Sequence, residues 1–224
     1  MEVPGGAGSA PPTRSGGGRR RVPAPAVLAV AFAAGSVPFS NIASRLLHDV
    51  DLRDVGSGTV SGTSLYDVAG FGPLAVAGVL EVAKGAVGPL LAGPDRPRLA
   101  ALAGGAAVVG HNWSPFLRGA GGRGVSPALG ALLAQDWPGG ALLLGGMTVG
   151  RLLRQTALGC LVADLALVPW LGRRRGTDGV RMAAAVVIPM LAKRLAGNAP
   201  APRPSAYFAR LVFDRDDFAP ARGA

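Results

Sequence analysis

The chain alternates long apolar windows with short polar loops that are rich in glycine. The apolar windows span roughly residues 24–46, 71–92, 99–117, 127–133, 141–153, 156–171 and 180–191. A bilayer's hydrocarbon core of about 30 Å needs about 20 apolar residues per helical pass. The windows 127–133 and 141–153 are short for a full pass and are interpreted as tilted or partial helices. The pattern predicts an all-α, polytopic membrane helix bundle with about seven (five to seven) transmembrane helices.

The two ends of the chain lack this pattern. Residues 1–23 are rich in Gly, Pro and Ser and contain several arginines, which predicts a disordered basic N-terminal tail. Arginines followed by an apolar stretch are also typical of a cleavable signal peptide. The apolar residues run on to Leu46, however, which favours a retained first helix. Residues 24–197 form the predicted membrane domain, and the Pro-rich, charged residues 198–224 are predicted to be a polar, loosely ordered C-terminal tail.

Composition and charge narrow the class of protein. Hydrophobic residues make up 49% of the chain and charged residues 16%, so lipid is a more suitable solvent than water. The net charge of +10 comes largely from arginines at the edges of the apolar windows, where they can attract anionic lipid or anionic substrates. Aromatic residues amount to 5%, and no basic stripe alternates with them, so no nucleic-acid partner is predicted. The lone Cys160 lies in an apolar run and is interpreted as a packing residue.

Three ionisable residues stand inside or beside apolar windows. Glu81 and Lys84 are three residues apart, which places them on one helical face where they can pair. Charges in hydrocarbon are unfavourable, so this pair is predicted to face the bundle interior or a wet cavity. It is either a helix-locking ion pair or part of a substrate site. His111 is either a buried structural histidine or a catalytic base.

Two glycine-rich loops are candidate binding segments for an anion. The first spans residues 47–64 and the second residues 110–125. Glycine lets backbone N–H groups converge on an anion, and nearby hydroxyls and arginines add donors. The two loops together predict a site for one or two phosphate groups at the membrane edge, although each alone is also typical of a tight interhelical turn. The sequence has no metal-ligand spacing, no Walker sequence and no nucleophile elbow.

The order of these segments is similar to a known family. The matching segments are residues 35–39, 51–53, 56–58, 81–85, 110–125 and 193–197. In this order they resemble the bacterial acyl-phosphate:glycerol-3-phosphate acyltransferases (PlsY), and the resemblance covers about residues 27–197.

The resemblance implies a seven-helix enzyme of the bacterial inner (plasma) membrane, with its N-terminus outside and its C-terminus in the cytoplasm. Such an enzyme transfers a fatty acyl group from acyl phosphate to glycerol 3-phosphate and releases lysophosphatidic acid and phosphate. The resemblance implies no metal and no other cofactor. The predicted catalytic residues are His111 and Lys84. The predicted substrate and phosphate ligands are Ser36, Arg53, Gly56, Ser57, Gly58, Thr59, Thr63, Asn112, Gly121, Gly122, Arg123 and Gly124.

The chain departs from the family pattern at several positions. Thr59 and Ser64 stand where the family has asparagines, Asp67 where it has arginine, and Arg123 where it has lysine. Two lost amides and an added carboxylate near a phosphate site weaken binding through missing hydrogen bonds and repulsion. One alternative is therefore a catalytically impaired member that binds an anionic lipid or a phosphometabolite. Another is a small membrane transporter, which would predict an internal duplication that the sequence lacks. The pattern does not predict an oligomeric state.

Overall fold

A computed structural model describes residues 21–56 and 58–216 of the chain. These residues form helices and loops and contain no strand, so the predicted all-α class is confirmed for the part of the chain described. The nine α-helices in these residues are α1 (Ala24–Ser36), α2 (Phe39–His48), α3 (Gly62–Ala69), α4 (Phe71–Ala92), α5 (Pro97–Asn112), α6 (Val125–Gln135), α7 (Trp137–Leu152), α8 (Thr156–Ala196) and α9 (Ser205–Phe213). Two short 3-10 turns, Leu52–Asp54 and Pro115–Leu117, lie in the loops.

Three helical stretches in the described residues are long and apolar enough to cross a membrane. They are Ala24–His48, Phe71–Ala92 and Thr156–Ala196. The first was predicted as one helix, but it is broken into α1 and α2 at Val37, whose backbone is extended. Pro38 explains the break, because proline lacks an N–H and disfavours helical geometry at the residue before it.

Helix α8 is a hairpin of two antiparallel arms. Gly176 has non-helical backbone angles (φ 57°, ψ −140°) and separates residues 156–175 from residues 177–196. The far ends of the arms meet, since Arg194 Nη1 donates to the carbonyl of Ala157 at 2.9 Å. Each arm is about 30 Å long at 1.5 Å per residue, which matches the hydrocarbon core. The two predicted apolar runs are confirmed as helices, whereas residues 172–175 of the predicted basic turn are helical and the helix breaks at Gly176. Counted with α1–α2, α4, α5, α6 and α7, these arms give seven helical segments of the bundle in the described residues.

Small residues let the helices of the bundle approach closely. A side chain added at Gly85 of α4 would strike the backbone of Pro127 in α6, and one added at Gly130 of α6 would strike the backbone of Val82. Small residues at such interfaces are the usual basis of helix packing in lipid, where apolar burial between helices contributes little. The larger buried side chains pack where α5, α6, α7 and α8 meet, among them Val108, Leu132, Leu143, Leu167, Leu171 and Val186.

The segment after the bundle contains a helix, α9, where a loosely ordered polar tail was predicted. Ala206 and Ala209 are fully buried, and Arg210 donates to the carbonyls of Leu195, Ala196 and Ala199. These contacts with the end of α8 supply the ordering that the sequence pattern alone did not reveal. With nine residues, α9 is about 13 Å long and too short to span the bilayer. Most of the predicted N-terminal tail, residues 1–20, lies outside the described residues, as do residues 217–224.

Candidate functional site

The two glycine-rich loops touch each other on one side of the bundle. Asn198, just after α8, donates through Nδ2 to the carbonyl of Gly58 at 3.0 Å and to the carbonyl of Gly121 at 3.2 Å. A Cβ on Gly122 would lie 2.6 Å from the carbonyl oxygen of Val60. One asparagine thus ties the first loop to the second.

A cationic cavity of about 540 Å³ opens beside these loops. It contains Arg45 from α2, Arg53 from the first loop and Arg118 from the second. The other lining residues are Val37, Pro38, Asn41, Ile42, Phe116 and Leu117. Three guanidinium groups around one cavity attract anions, and two of them belong to the loops that the sequence singled out.

Asp51 holds two of the three arginines. Its carboxylate lies 2.6 Å from Arg53 Nη2 and also pairs with Arg45. Hydrogen bonds from Arg53 hold the pKa of the Asp51 carboxyl well below its usual range; burial raises it, and Arg45 lowers it further. Asp51 in turn raises the pKa of Arg53. One carboxylate offsets one positive charge, so the cavity keeps an excess of positive charge.

An apolar groove of about 450 Å³ runs between α2 and α4. Its lining consists of Phe39, Ile42, Ala43, Leu46, Leu47, Gly72, Pro73, Val76, Ala77 and Leu80. Ile42 lines both this groove and the cationic cavity. The two spaces are therefore neighbours, one suited to a hydrocarbon chain and the other to an anionic head.

Glu81 joins the two predicted catalytic residues. Lys84 Nζ lies 2.6 Å from Glu81 Oε2, and His111 Nδ1 lies 3.3 Å from the same oxygen. The other carboxylate oxygen accepts from the backbone N–H of Ser40 at 3.1 Å, in the first turn of α2. The predicted pairing of Glu81 with Lys84 is confirmed. Both side chains are at most 5% exposed, so the pair faces the bundle interior.

Lys84 contacts a residue of the cationic cavity, and His111 contacts the second glycine-rich loop. Lys84 Nζ also donates to the carbonyl of Val37 at 2.6 Å, and Val37 lines the cationic cavity. A side chain added at Gly122 would strike His111 Nε2, so the imidazole lies directly against the second loop. Because Nδ1 faces Glu81, Nε2 is the ring nitrogen turned toward the point where the loops meet.

Other predicted ligands have partners within the protein. Ser36 Oγ donates to the carbonyl of Phe32, and Asn112, fully buried, donates through Nδ2 to the carbonyl of Pro189 at 2.8 Å. Thr59 is buried, and its carbonyl accepts from Ser64 Oγ at 3.0 Å.

The remaining predicted residues lie on the loops themselves. The helix α3 begins at Gly62, so Thr63 lies exposed in its first turn, not in the predicted loop. Gly56, Gly58 and Gly124 have positive φ angles, and Gly121 and Gly122 are buried against the backbone and side chain of His111. Ser57 lies outside the described residues.

Arg123 does not line the cationic cavity. Its Nε lies 2.6 Å from Asp214 Oδ1, at the end of α9, and its Nη1 donates to the carbonyl of Lys193 at 3.2 Å. Burial raises the pKa of the Asp214 carboxyl, a shift that the charges of Arg123 and Arg194 reduce. The second loop thus directs Arg118 into the cavity and Arg123 toward the C-terminal helix.

Three residues of this region were not among the predicted ligands: Arg45, Arg118 and Asn198. Arg45 lies one turn before the end of α2, a position that gave no sequence signal. Arg118 has a left-handed backbone conformation (φ 54°), which is uncommon outside glycine and which the sequence gave no reason to expect. Asn198 follows the last apolar window and was assigned to the polar tail.

Comparisons with known proteins find one family. Residues 25–197 match the family model described as glycerol-3-phosphate acyltransferase. A glycerol-3-phosphate acyltransferase of Synechococcus sp. (strain CC9902) is 36% identical over 168 residues, covering 74% of this chain and 84% of that protein. A glycerol-3-phosphate acyltransferase of Rhodospirillum rubrum is 41% identical over 146 residues, covering 60% of this chain and 67% of that protein. The crystal structure of PlsY (YgiH), an integral membrane glycerol 3-phosphate acyltransferase, in its glycerol 3-phosphate form superposes with a TM-score of 0.70 at 24% identity, covering 76% of this chain and 88% of that chain.

Proposed function

Because the chain belongs to the glycerol-3-phosphate acyltransferase family, we propose that it transfers a fatty acyl group from acyl phosphate to glycerol 3-phosphate. The products are lysophosphatidic acid and inorganic phosphate. The reaction takes place at the cytoplasmic face of a bacterial plasma membrane, where both charged substrates are available. The chain is a multi-pass membrane acyltransferase.

The cationic cavity is the observation that carries the proposal. It brings Arg53 of the first loop and Arg118 of the second to one place, beside Arg45. Both substrates carry a phosphate, and arginine binds phosphate through paired N–H donors in a planar fork. A cavity lined by three guanidiniums is therefore suited to the group that the two substrates share.

The apolar groove beside the cavity suits the acyl chain. The groove is lined by apolar side chains of α2 and α4, so a fatty acyl chain can leave the lipid and lie in it without losing its apolar surroundings. Ile42 lies between the two spaces. A donor with its phosphate in the cavity and its chain in the groove has its acyl carbonyl at the junction.

The chemical step needs little more than positioning and a proton acceptor. A glycerol hydroxyl oxygen forms a bond to the acyl carbon, the bond from that carbon to the phosphate oxygen breaks, and phosphate leaves with the electron pair. His111 Nε2 takes the hydroxyl proton, since Glu81 holds Nδ1 and stabilises the resulting imidazolium. Acyl phosphate is already activated, so orientation and charge stabilisation by arginine and Lys84 supply the remaining rate enhancement.

Purified protein in lipid nanodiscs, supplied with acyl phosphate and labelled glycerol 3-phosphate, tests the proposal. Labelled lysophosphatidate is expected only when acyl phosphate is present, and His111→Ala is expected to abolish it. Arg98→Ala, which removes an exposed arginine at the opposite end of α5, serves as a matched control and should keep wild-type activity. Folded protein that binds labelled glycerol 3-phosphate but forms no product would support the impaired-enzyme alternative instead.

A further inference from the structure

The C-terminal helix α9 lies beyond the family-matching residues 25–197, yet it contacts a loop of the site. Asp214 Oδ1, one residue after α9, lies 2.6 Å from Arg123 Nε in the second glycine-rich loop. Both side chains are largely shielded from solvent, at 14% exposed for Arg123 and 27% for Asp214. A charge pair in such surroundings is screened little by solvent and salt, so it can fix the geometry of the groups that form it.

Asp214 is itself held in place by the docking of α9. Arg210 is 3% exposed and donates to carbonyls at the end of α8, while Arg194 of α8 donates to the carbonyl of Leu211 at 3.0 Å. Arg210 also pairs with Asp216. These contacts attach α9 to α8 from both sides, so the Asp214 carboxylate has a defined position relative to the second loop.

The contacts of Arg123 leave part of its guanidinium for a ligand. Asp214 faces Nε, and the carbonyl of Lys193 accepts from Nη1. A guanidinium carries five N–H donors in one plane, and fixing one edge fixes the direction of the others. Arg123 directly follows Gly122, whose backbone lies against His111. The reaction handles two phosphates, and Arg123 lies apart from the cavity that contains the other three arginines.

We propose that Asp214 is a positioning residue for acyl transfer, which acts by holding Arg123 so that its remaining donors bind a substrate phosphate beside His111. The inference rests on the proposed function. It assigns a role in the site to a segment outside the family-matching region, and it explains how an arginine is oriented in a loop where the resemblance implies a lysine.

The test is a comparison of Asp214→Asn with Asp178→Asn in nanodiscs. Asp214 has a left-handed backbone conformation (φ 56°), which asparagine tolerates well, so Asp214→Asn removes the charge and keeps the shape. We expect the KM for one phosphate-bearing substrate to rise about tenfold, with kcat changed less than threefold, as for loss of one charge-assisted contact. Asp178→Asn removes a partly exposed carboxylate that pairs with Arg181, at the end of the second α8 arm away from α9, and should leave both constants within twofold.

A double-mutant cycle with Arg123→Gln separates positioning from simple stabilisation. If Asp214 acts through Arg123, adding Asp214→Asn to Arg123→Gln changes the KM no further. A further tenfold rise, an unchanged KM in the single variant, or an increase in kcat/KM would each overturn the proposal, the last because it would make α9 an inhibitory strap. Thermal unfolding of each preparation identifies a variant that loses activity by unfolding. An inactive wild-type protein would overturn the proposed function, whereas an active wild type with an unaffected Asp214→Asn variant would overturn this inference alone.

Discussion

Replacing Arg118 with glycine should weaken substrate binding without weakening the fold. Arg118 lines the cationic cavity, and its backbone lies in the left-handed region (φ 54°, ψ 36°). Left-handed geometry costs an L-residue other than glycine about 1–2 kcal/mol. Glycine removes that strain and also removes the guanidinium. Relief of strain acts on the free energy of unfolding, whereas loss of the guanidinium acts on substrate binding. Stability should therefore be kept in this variant while activity falls.

The magnitudes follow from the two contributions. A hydrogen bond to a charged group contributes about 1.5–3 kcal/mol, and each 1.4 kcal/mol corresponds to a factor of ten. Loss of the guanidinium should therefore raise the KM for a phosphate-bearing substrate about 10-fold to 100-fold. The relief of strain is partly offset by the greater freedom of glycine in the unfolded chain. The free energy of unfolding should therefore stay unchanged or rise by up to about 1 kcal/mol.

The assay combines steady-state acyl transfer with thermal unfolding of the same nanodisc preparations. Arg118→Ala removes the guanidinium but keeps the left-handed strain, so it should show the same rise in KM without the gain in stability. Arg154 has a matching left-handed conformation (φ 56°), and Arg154→Gly is the control for the effect of relieved strain on stability. A KM for Arg118→Gly equal to that of wild type, in folded protein, would refute the assignment of Arg118 to the phosphate site.

Three further outcomes are expected. Glu81→Gln should lower the free energy of unfolding by about 3 kcal/mol and remove most activity, because it leaves the buried Lys84 unpaired and His111 unoriented; unfolding and activity that both match wild type would contradict this role. Asp51 has a lowered pKa in the fold, so its stabilisation should be complete above its unfolded pKa of about 4 and be lost as pH falls through its lower folded value. The stability difference between wild type and Asp51→Asn should accordingly be largest near pH 7 and shrink in acid, and a difference that is constant with pH would contradict it. Gly130→Val should prevent close packing of α4 on α6 and reduce the yield of folded protein in detergent, whereas Gly145→Val, at a position with open space, should not.

Features that depend on local spacing were predictable from the sequence. The three-residue interval between Glu81 and Lys84 places both on one helical face, and the ion pair follows from the need to neutralise charge in an apolar bundle. The window 71–92 coincides with α4, and Gly176, the last residue of the predicted basic turn, divides α8 into two arms. In each case residues close together in the sequence determine the structural feature.

Features that depend on partners distant in sequence were not predictable. Arg118 and Arg123 are the same residue type in one loop, yet the first lies in the cavity and the second pairs with Asp214. The backbone angle at Arg118 and the docking of α9 determine where each arginine lies. Neither produces a periodic pattern in the sequence. Asn112 stands next to His111 in sequence, but its amide holds α5 to Pro189 of α8.

Arg53 of the first glycine-rich loop and Arg118 of the second are expected to bind the same phosphate in the cationic cavity. The most direct measurement is equilibrium binding of labelled glycerol 3-phosphate to wild type, Arg53→Ala, Arg118→Ala and the double variant in nanodiscs. If the two guanidiniums share one phosphate, each single variant should lose about tenfold or more in affinity, and the double variant should lose clearly less than the product of the two factors. Wild-type affinity in either single variant, or strictly independent losses in the double variant, would contradict it.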